Sequence, residues 1–304
     1  MSNTQVPDAH AMLDEELASQ IGESETIRDL LGRMVRENHL AAASALVILL
    51  FGLAAICAGL LAPYDPNEVR LDQALMAPCA EHLLGTDDAG RDVLSRLLFG
   101  SRISLLVGIV PTLVSMAIGA ALGAVSGYFG GWIDTIIMRL ADILLAFPSI
   151  LLVMVIMYTL GDGLLNVFIA LSMLNWAVVA RVVRAETLHL EGTEYMEASR
   201  VIGVSHGASI LRHILPNCLP ILIVLFTLAI PGSILSESGL SFLGLGVQPP
   251  DASWGQMVNA GRQFLYYAPW ISLAPSACIM LVVLAFNFLG DGLRDVLDPH
   301  LRNQ

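Results

Sequence analysis

Long apolar runs alternate along this chain with shorter polar stretches. Six runs, at 40–62, 103–127, 144–160, 164–180, 219–235 and 271–289, contain no Asp, Glu, Arg or His. A helix crosses the hydrocarbon core of a bilayer with about 20 apolar residues. The pattern therefore predicts an all-α, polytopic membrane protein with six transmembrane helices. A first span covers 40–62, and a five-helix core occupies 102–290. Charged residues stand at the ends of these runs, as with Arg102, Asp142, Arg181, Glu237 and Asp291. The first run follows 39 mostly polar residues and has no small-residue cleavage site, so it reads as a retained span rather than a signal peptide.

The polar stretches divide the remainder. Residues 1–39 form a tail in which Ile27, Leu30, Leu31, Met34 and Val35 recur at helical spacing among Arg28, Arg33 and Arg36. That arrangement predicts an amphipathic helix lying against an anionic lipid surface or, equally, a short soluble helix. Segment 63–101 is polar and closes on Val93, Leu94, Leu97 and Leu98, predicting an elbow helix on the membrane before the second span. Segment 183–216 is the other long connection, and 291–304 is a short tail. Within it, Gly192 and Thr193 can cap a short helix through Glu194, Glu197 and Ala198. Gly203 permits a sharp turn, Ser205 can cap a second helix, and Pro216 is expected to end that helix before the next span. Two short helices joined this way to two spans make a knob able to pass a push from a soluble partner into the membrane.

Composition agrees with a lipid solvent. The chain is 56% hydrophobic and 14% charged, against about 25% charged in soluble domains. The net charge of −12 argues against a nucleic-acid partner. Much of it sits in the first 25 residues, a solvated acidic tail. With the N-terminus in the cytoplasm, ten Arg fall inside (Arg28, Arg33, Arg36, Arg139, Arg181, Arg184, Arg200, Arg212, Arg294 and Arg302) and five outside. This satisfies the positive-inside rule and predicts that both termini are cytoplasmic. The chain has no Lys, so it cannot contain a phosphate-binding loop of the Gly-rich, Lys-Ser/Thr type. Any ATP-driven step belongs to another polypeptide. Cys57, Cys79, Cys218 and Cys278 show no paired spacing and read as small hydrophobes.

The same residues weigh against other classes. Ion-coupled carriers and many channels keep ionisable groups at membrane depth, and these runs have none. Backbone carbonyls at Gly or Pro breaks leave a self-contained secondary transporter or channel as an alternative. A membrane enzyme comes third, because no H-E-x-x-H or G-x-S-x-G motif is present. Gly119, Gly123 and Gly127 form two GxxxG steps, a close-packing face toward another span of this chain or toward a partner. Pro111, Pro148, Pro231 and Pro275 are candidate kinks. His82, Asp87, Asp88 and Asp92 form a possible metal cluster, with turn capping by Thr86 or Asp87 the favoured reading and no metal site expected. Glu237, beside Ser236 and Ser238, is a candidate for the substrate path or for an interfacial carboxylate in water. Asn175, Trp176 and Asn287 are further polar points near span ends.

Segment 191–217 reads EGTEYMEASRVIGVSHGASILRHILPN. It resembles the EAA loop of ABC importer permeases, with Glu197, Ala198 and Ser199 at the motif, then Gly203, and Leu215-Pro216 at its end. Ser199 replaces the second Ala, and His213 stands where Ile is usual. HLLGTDDAGRDVLSRLLFGSRISLLVG from His82, MRLADILLAFPSILL from Met138, SESGLSFLGLGVQPP from Ser236 and FNFLGDGLRDVLDP from Phe286 resemble the dipeptide/oligopeptide/nickel group, its C-type subunit best. The resemblance implies a bacterial inner-membrane permease subunit carrying peptides, or nickel or another small solute. It implies a second homologous permease, two ATPase subunits that bind ATP and Mg, and an external substrate-binding protein, with no cofactor in this chain. It also implies that Glu194, Glu197, Ala198, Ser199, Gly203, Leu215 and Pro216 couple to the ATPase.

Overall fold

The computed structural model describes residues 38–297, and every described element is helical apart from one isolated bridge between Thr86 and Asp92. The amphipathic helix expected near 27–36 and the tail beyond 297 lie outside the described residues. Helix α1 spans His39–Ile56, capped by the Asn38 carboxamide on Ala41 N at 3.0 Å, and breaks at Cys57 before the single turn α2, Ala58–Leu61. Helix α3, Val93–Phe129, is continuous over 37 residues, or about 55 Å at 1.5 Å per residue. The expected elbow is therefore the first turns of α3 itself rather than a separate helix. Asp92 starts it by accepting from Ser95 N at 2.7 Å.

The third span, expected at 144–160 with Pro148 as a candidate kink, is not one helix. In its place, α4 (Gly131–Ala146) and α5 (Ser149–Leu160) meet at a 96° bend. Pro148 has no N–H for the ladder and forces the preceding residue out of the helical region, and Phe147 duly sits at φ −95°, ψ 145°. Helix α6, Leu164–Glu191, runs eleven residues past the expected end of the fourth span at 180. After Gly192, α7 (Glu194–Val201) and α8 (His206–Ser209) form the expected pair of short helices.

Pro216 does not end α8. A π-helical turn, Ile210–Ile214, carries α8 directly into α9, Leu215–Phe242. Pro216 follows that turn inside a continuous helix, where the wider π turn accommodates its ring. Leu215 N bonds Ile210 O across that turn, and Asn217 Nδ2 donates to His213 O at 2.6 Å. The sequence reading has no counterpart of the short α10, Trp254–Gly261, and α11, Trp270–Leu297, is the last described element. Among the described residues, five helices have the length and apolarity to cross a membrane, and with the bent α4–α5 pair counted as one span there are six.

Helix α3 is the axis of the assembly. Its Gly119, Gly123 and Gly127 lie against α6 so closely that added Cβ atoms would stand 2.6 Å from Val179 Cβ, 2.5 Å from Ala180 O and 2.7 Å from Thr187 Cβ. The glycine face thus meets a span of the same chain. On α9, Ile230 and Ile234 crowd Gly108 of α3. Helix α11 packs on α9 through Gly290 against Leu228, and on α1 through Gly292 against Ala41. These contacts gather the beginning of α1, the end of α3, α7 and α8 at one end of the bundle. The other end is closed by segment 63–92, α10 and the start of α11.

Candidate functional site

The α7–α8 hairpin stands off the end of the bundle on two long helices. One face of α7 is fixed, with Met196 at 0% and Ser199 at 7% exposure. The opposite face and the following turn are open, with Glu194, Glu197, Ala198 and Gly203 exposed and Val201 and Ile202 at 88% and 80%. Gly203 ends α7 at φ +83°, donating to Arg200 O at 3.0 Å while Val204 N reaches Ser199 O at 3.1 Å. This is the Schellman arrangement, and its left-handed residue is disfavoured for any side chain with a Cβ. No atom lies within 4 Å of a Cβ built at Gly203, so the backbone angle rather than crowding sets the requirement.

Thr193 and Ser205 occupy the cap positions but make no capping hydrogen bond; Thr193 Oγ1 donates back to Leu190 O at 2.5 Å. The hairpin is tied down by other contacts. Arg200 Nη2 donates to Glu191 at 2.5 Å, which holds that guanidinium above its ordinary pKa. Tyr128, at the end of α3, pairs with His206 Nδ1 at 2.8 Å. Leu215 is half-buried and Pro216 exposed where α9 begins.

A second feature lies within the bundle. Thr112, Ser115 and Met116 of α3, Ser149 of α5, Asn175, Val178 and Val179 of α6, and Leu225, Ala229, Gly232 and Ser236 of α9 line a cleft of about 310 Å³. Asn175 and Ser236, foreseen as polar points, converge here. Thr112, Ser115 and Ser149 were not foreseen. Thr112 and Ser115 stand three apart inside an apolar run, a signal the sequence does contain, but only the α4–α5 bend brings Ser149 to meet them. Ser238 is placed elsewhere, on an apolar cleft with Leu235, Phe242 and Val258, its hydroxyl donating to Ile234 O at 2.9 Å.

Glu237 lines neither cleft nor water, since its exposure is 0%. It is enclosed between α9 and α10, where Oε1 accepts from Ser241 at 2.7 Å and from Ser253, the cap of α10, at 2.8 Å. Oε2 has no hydrogen-bond partner among the described residues. The apolar run in the sequence closes at 235, which puts Glu237 at the end of an expected span. The helix continues to Phe242, and α10 folds over the carboxylate.

At that same end the acidic residues are engaged with one another's surroundings. Asp92 Oδ1 faces His82 Nδ1 at 2.9 Å, while Asp87 accepts from Ala89 N and Arg91 N, both at 2.9 Å, and from Arg91 Nε at 2.7 Å. Arg96 reaches Gln256 at 3.3 Å, and Trp270 Nε1 donates to Thr86 O at 3.1 Å. Among the described residues no three His, Cys, Asp or Glu come together in a way that could hold a metal ion.

Residues 119–303 match the family described as binding-protein-dependent transport system inner membrane component, and residues 30–78 match the N-terminal TM domain of oligopeptide transport permease C. The chain is 44% identical over 277 residues to the glutathione transport system permease protein GsiD of Pectobacterium atrosepticum, covering 91% of this chain and 92% of that protein. It is 43% identical over 271 residues to the dipeptide transport system permease protein DppC of Alkalihalophilus pseudofirmus, covering 89% of each. These relatives are transport permeases rather than enzymes. A bundle of membrane-length helices, an outward hairpin and matches across nearly the whole length agree: the chain belongs to the inner-membrane permease components of binding-protein-dependent ABC importers, in their C-type group.

Proposed function

We propose that this chain forms half of the translocation path of an ATP-driven importer of di- and oligopeptides. A second homologous permease supplies the other half. Two separate ATPase subunits bind ATP and Mg, and an external substrate-binding protein delivers the solute. The chain itself holds no cofactor. Segment 183–216 and both termini face the cytoplasm and 63–101 faces outward, a reading supported by the Arg distribution. The names of the relatives, glutathione and dipeptide permeases, support a peptide substrate.

The observation that carries the coupling role is the exposure of Val201 and Ile202, at 88% and 80%, at the turn after α7. Apolar side chains so exposed in water mark a contact surface. Glu197 and Ala198 lie on the same open face, and α6 and α9 run from it into the cleft. An ATPase groove that closes on this hairpin would therefore move the two helices that carry Asn175 and Ser236.

The test is purification of the tagged chain from native membranes in mild detergent. A second permease, ATPase subunits and a solute-binding protein are expected to accompany it. Emergence of the folded chain alone would overturn the importer assembly. Gly203→Asp and Glu197→Lys are each expected to leave the chain inserted yet abolish uptake, and normal uptake in both would remove the coupling role from this hairpin.

A further inference from the structure

Resting on the importer reading, we infer that the cleft between α3, α5, α6 and α9 binds the uncharged backbone amides of its substrate, with Asn175 as the residue that pairs with a peptide unit. No Asp, Glu, Arg or His lines the cleft among the described residues. Its polar lining consists of hydroxyls and one carboxamide. Three of its four hydroxyl protons are already committed, from Thr112 to Gly108 O at 2.6 Å, Ser115 to Thr112 O at 3.0 Å and Ser236 to Gly232 O at 2.7 Å. Each of these three oxygens retains lone pairs and accepts from a ligand, while the Ser149 hydroxyl can also donate.

Asn175 differs from these. It is half-buried, and its carboxamide has no partner within the described residues, which leaves two donors and an acceptor free. Counting 1.5 Å per residue from Leu164, it lies about 16 Å along α6, at membrane depth. A primary amide is matched in shape and polarity by a peptide unit, whose N–H donates to Oδ1 while its C=O accepts from Nδ2. A lone ammonium or carboxylate would meet no opposite charge here and would lose hydration without compensation. Such a lining reads what all peptides share and leaves charge selection to other parts of the importer.

The test uses cells lacking their own copy of this subunit, complemented with the full chain at matched membrane levels. They are offered radiolabelled trialanine and its central-glutamate and central-lysine versions. Comparing each variant with wild type for each probe cancels the preference of the binding protein. Asn175→Ala is expected to lower uptake of all three about three- to tenfold and to similar extents, the effect of one hydrogen-bonding group. Asn175→Asp is expected to raise the lysine-to-glutamate uptake ratio at least tenfold, a readout that loss of stability alone does not move. A charge-dependent loss in Asn175→Ala, or an unchanged ratio in Asn175→Asp, overturns the inference. If wild type takes up none of the probes, the peptide-importer reading falls and takes this inference with it.

Discussion

Single residues fix the closest approaches in this protein. Gly123 is the tightest point of the α3–α6 contact, since a Cβ there would stand 2.5 Å from Ala180 O, a backbone atom unable to move without its helix. Gly123→Val should force the helices apart and cost about 1–3 kcal/mol, as overpacking does. A lowered melting temperature of the detergent-solubilised chain checks this, with Gly232→Ala, where no atom lies within 4 Å of an added Cβ, as the harmless control. The GxxxG spacing was legible in the sequence, but its target was not, because glycine spacing states only that some backbone comes near. Glu237 teaches the reverse. A carboxylate between serines at an apparent span end reads as solvated, whereas α10, 16 residues later, supplies the Ser253 hydroxyl that encloses it.

At the scale of elements, α4 and α6 are joined by two ion pairs. Arg184 Nε and Nη2 reach Asp134 Oδ1 and Oδ2 at 2.5 and 2.6 Å, and Ser126 adds a third hydrogen bond to the same carboxylate. Nearer the bend, Arg181 meets Asp142 at 2.5 Å, with both side chains about half exposed. The exposed pair contributes little on its own; the bidentate Asp134–Arg184 pair is the stronger one. Since α6 leads to the α7 hairpin and α4 leads through Phe147–Pro148 to Ser149, this pair ties together the helix that leads to the hairpin and the helix that leads to the cleft. Arg184→Gln is expected to cost about 2 kcal/mol and to reduce uptake while ATP hydrolysis by the assembled complex persists. The charge exchange Asp134→Arg with Arg184→Asp should restore part of the uptake; failure to recover any would leave the pair with a purely local role.

Across the whole molecule the two ends are built differently. The end formed by segment 63–92, α10 and the start of α11 is cross-linked by buried polar contacts, including Trp254 N to Ser104 at 2.9 Å and Trp270 Nε1 to Thr86 O at 3.1 Å. The opposite end presents a hairpin with one buried face and few tethers. Hydrogen exchange on the solubilised chain should therefore show amides near 85–96 protected and those near 202–207 exchanging much faster. Adding the ATPase partner should slow exchange across 194–204 and leave 85–96 unchanged. Equal protection of both ends in the isolated chain would contradict this division.

The membrane class, the all-helical fold and the hairpin followed from local features. Apolar runs of bilayer length admit only a helix in lipid, because every backbone polar group must be satisfied within its own segment. The turn at Gly203 was likewise legible, since a left-handed backbone angle is a property of one residue. Tertiary structure decided how far each helix continues past its apolar run, as at α6 and α9, because polar helical turns persist wherever neighbouring helices shelter them. It also decided what Pro does. Pro148 breaks a span where the chain must turn, whereas Pro216 is absorbed by a π turn where it must run on. The meeting of Thr112, Ser115, Ser149, Asn175 and Ser236 belongs to that second category. Four helices create the cleft, and no local pattern encodes which of their faces will converge.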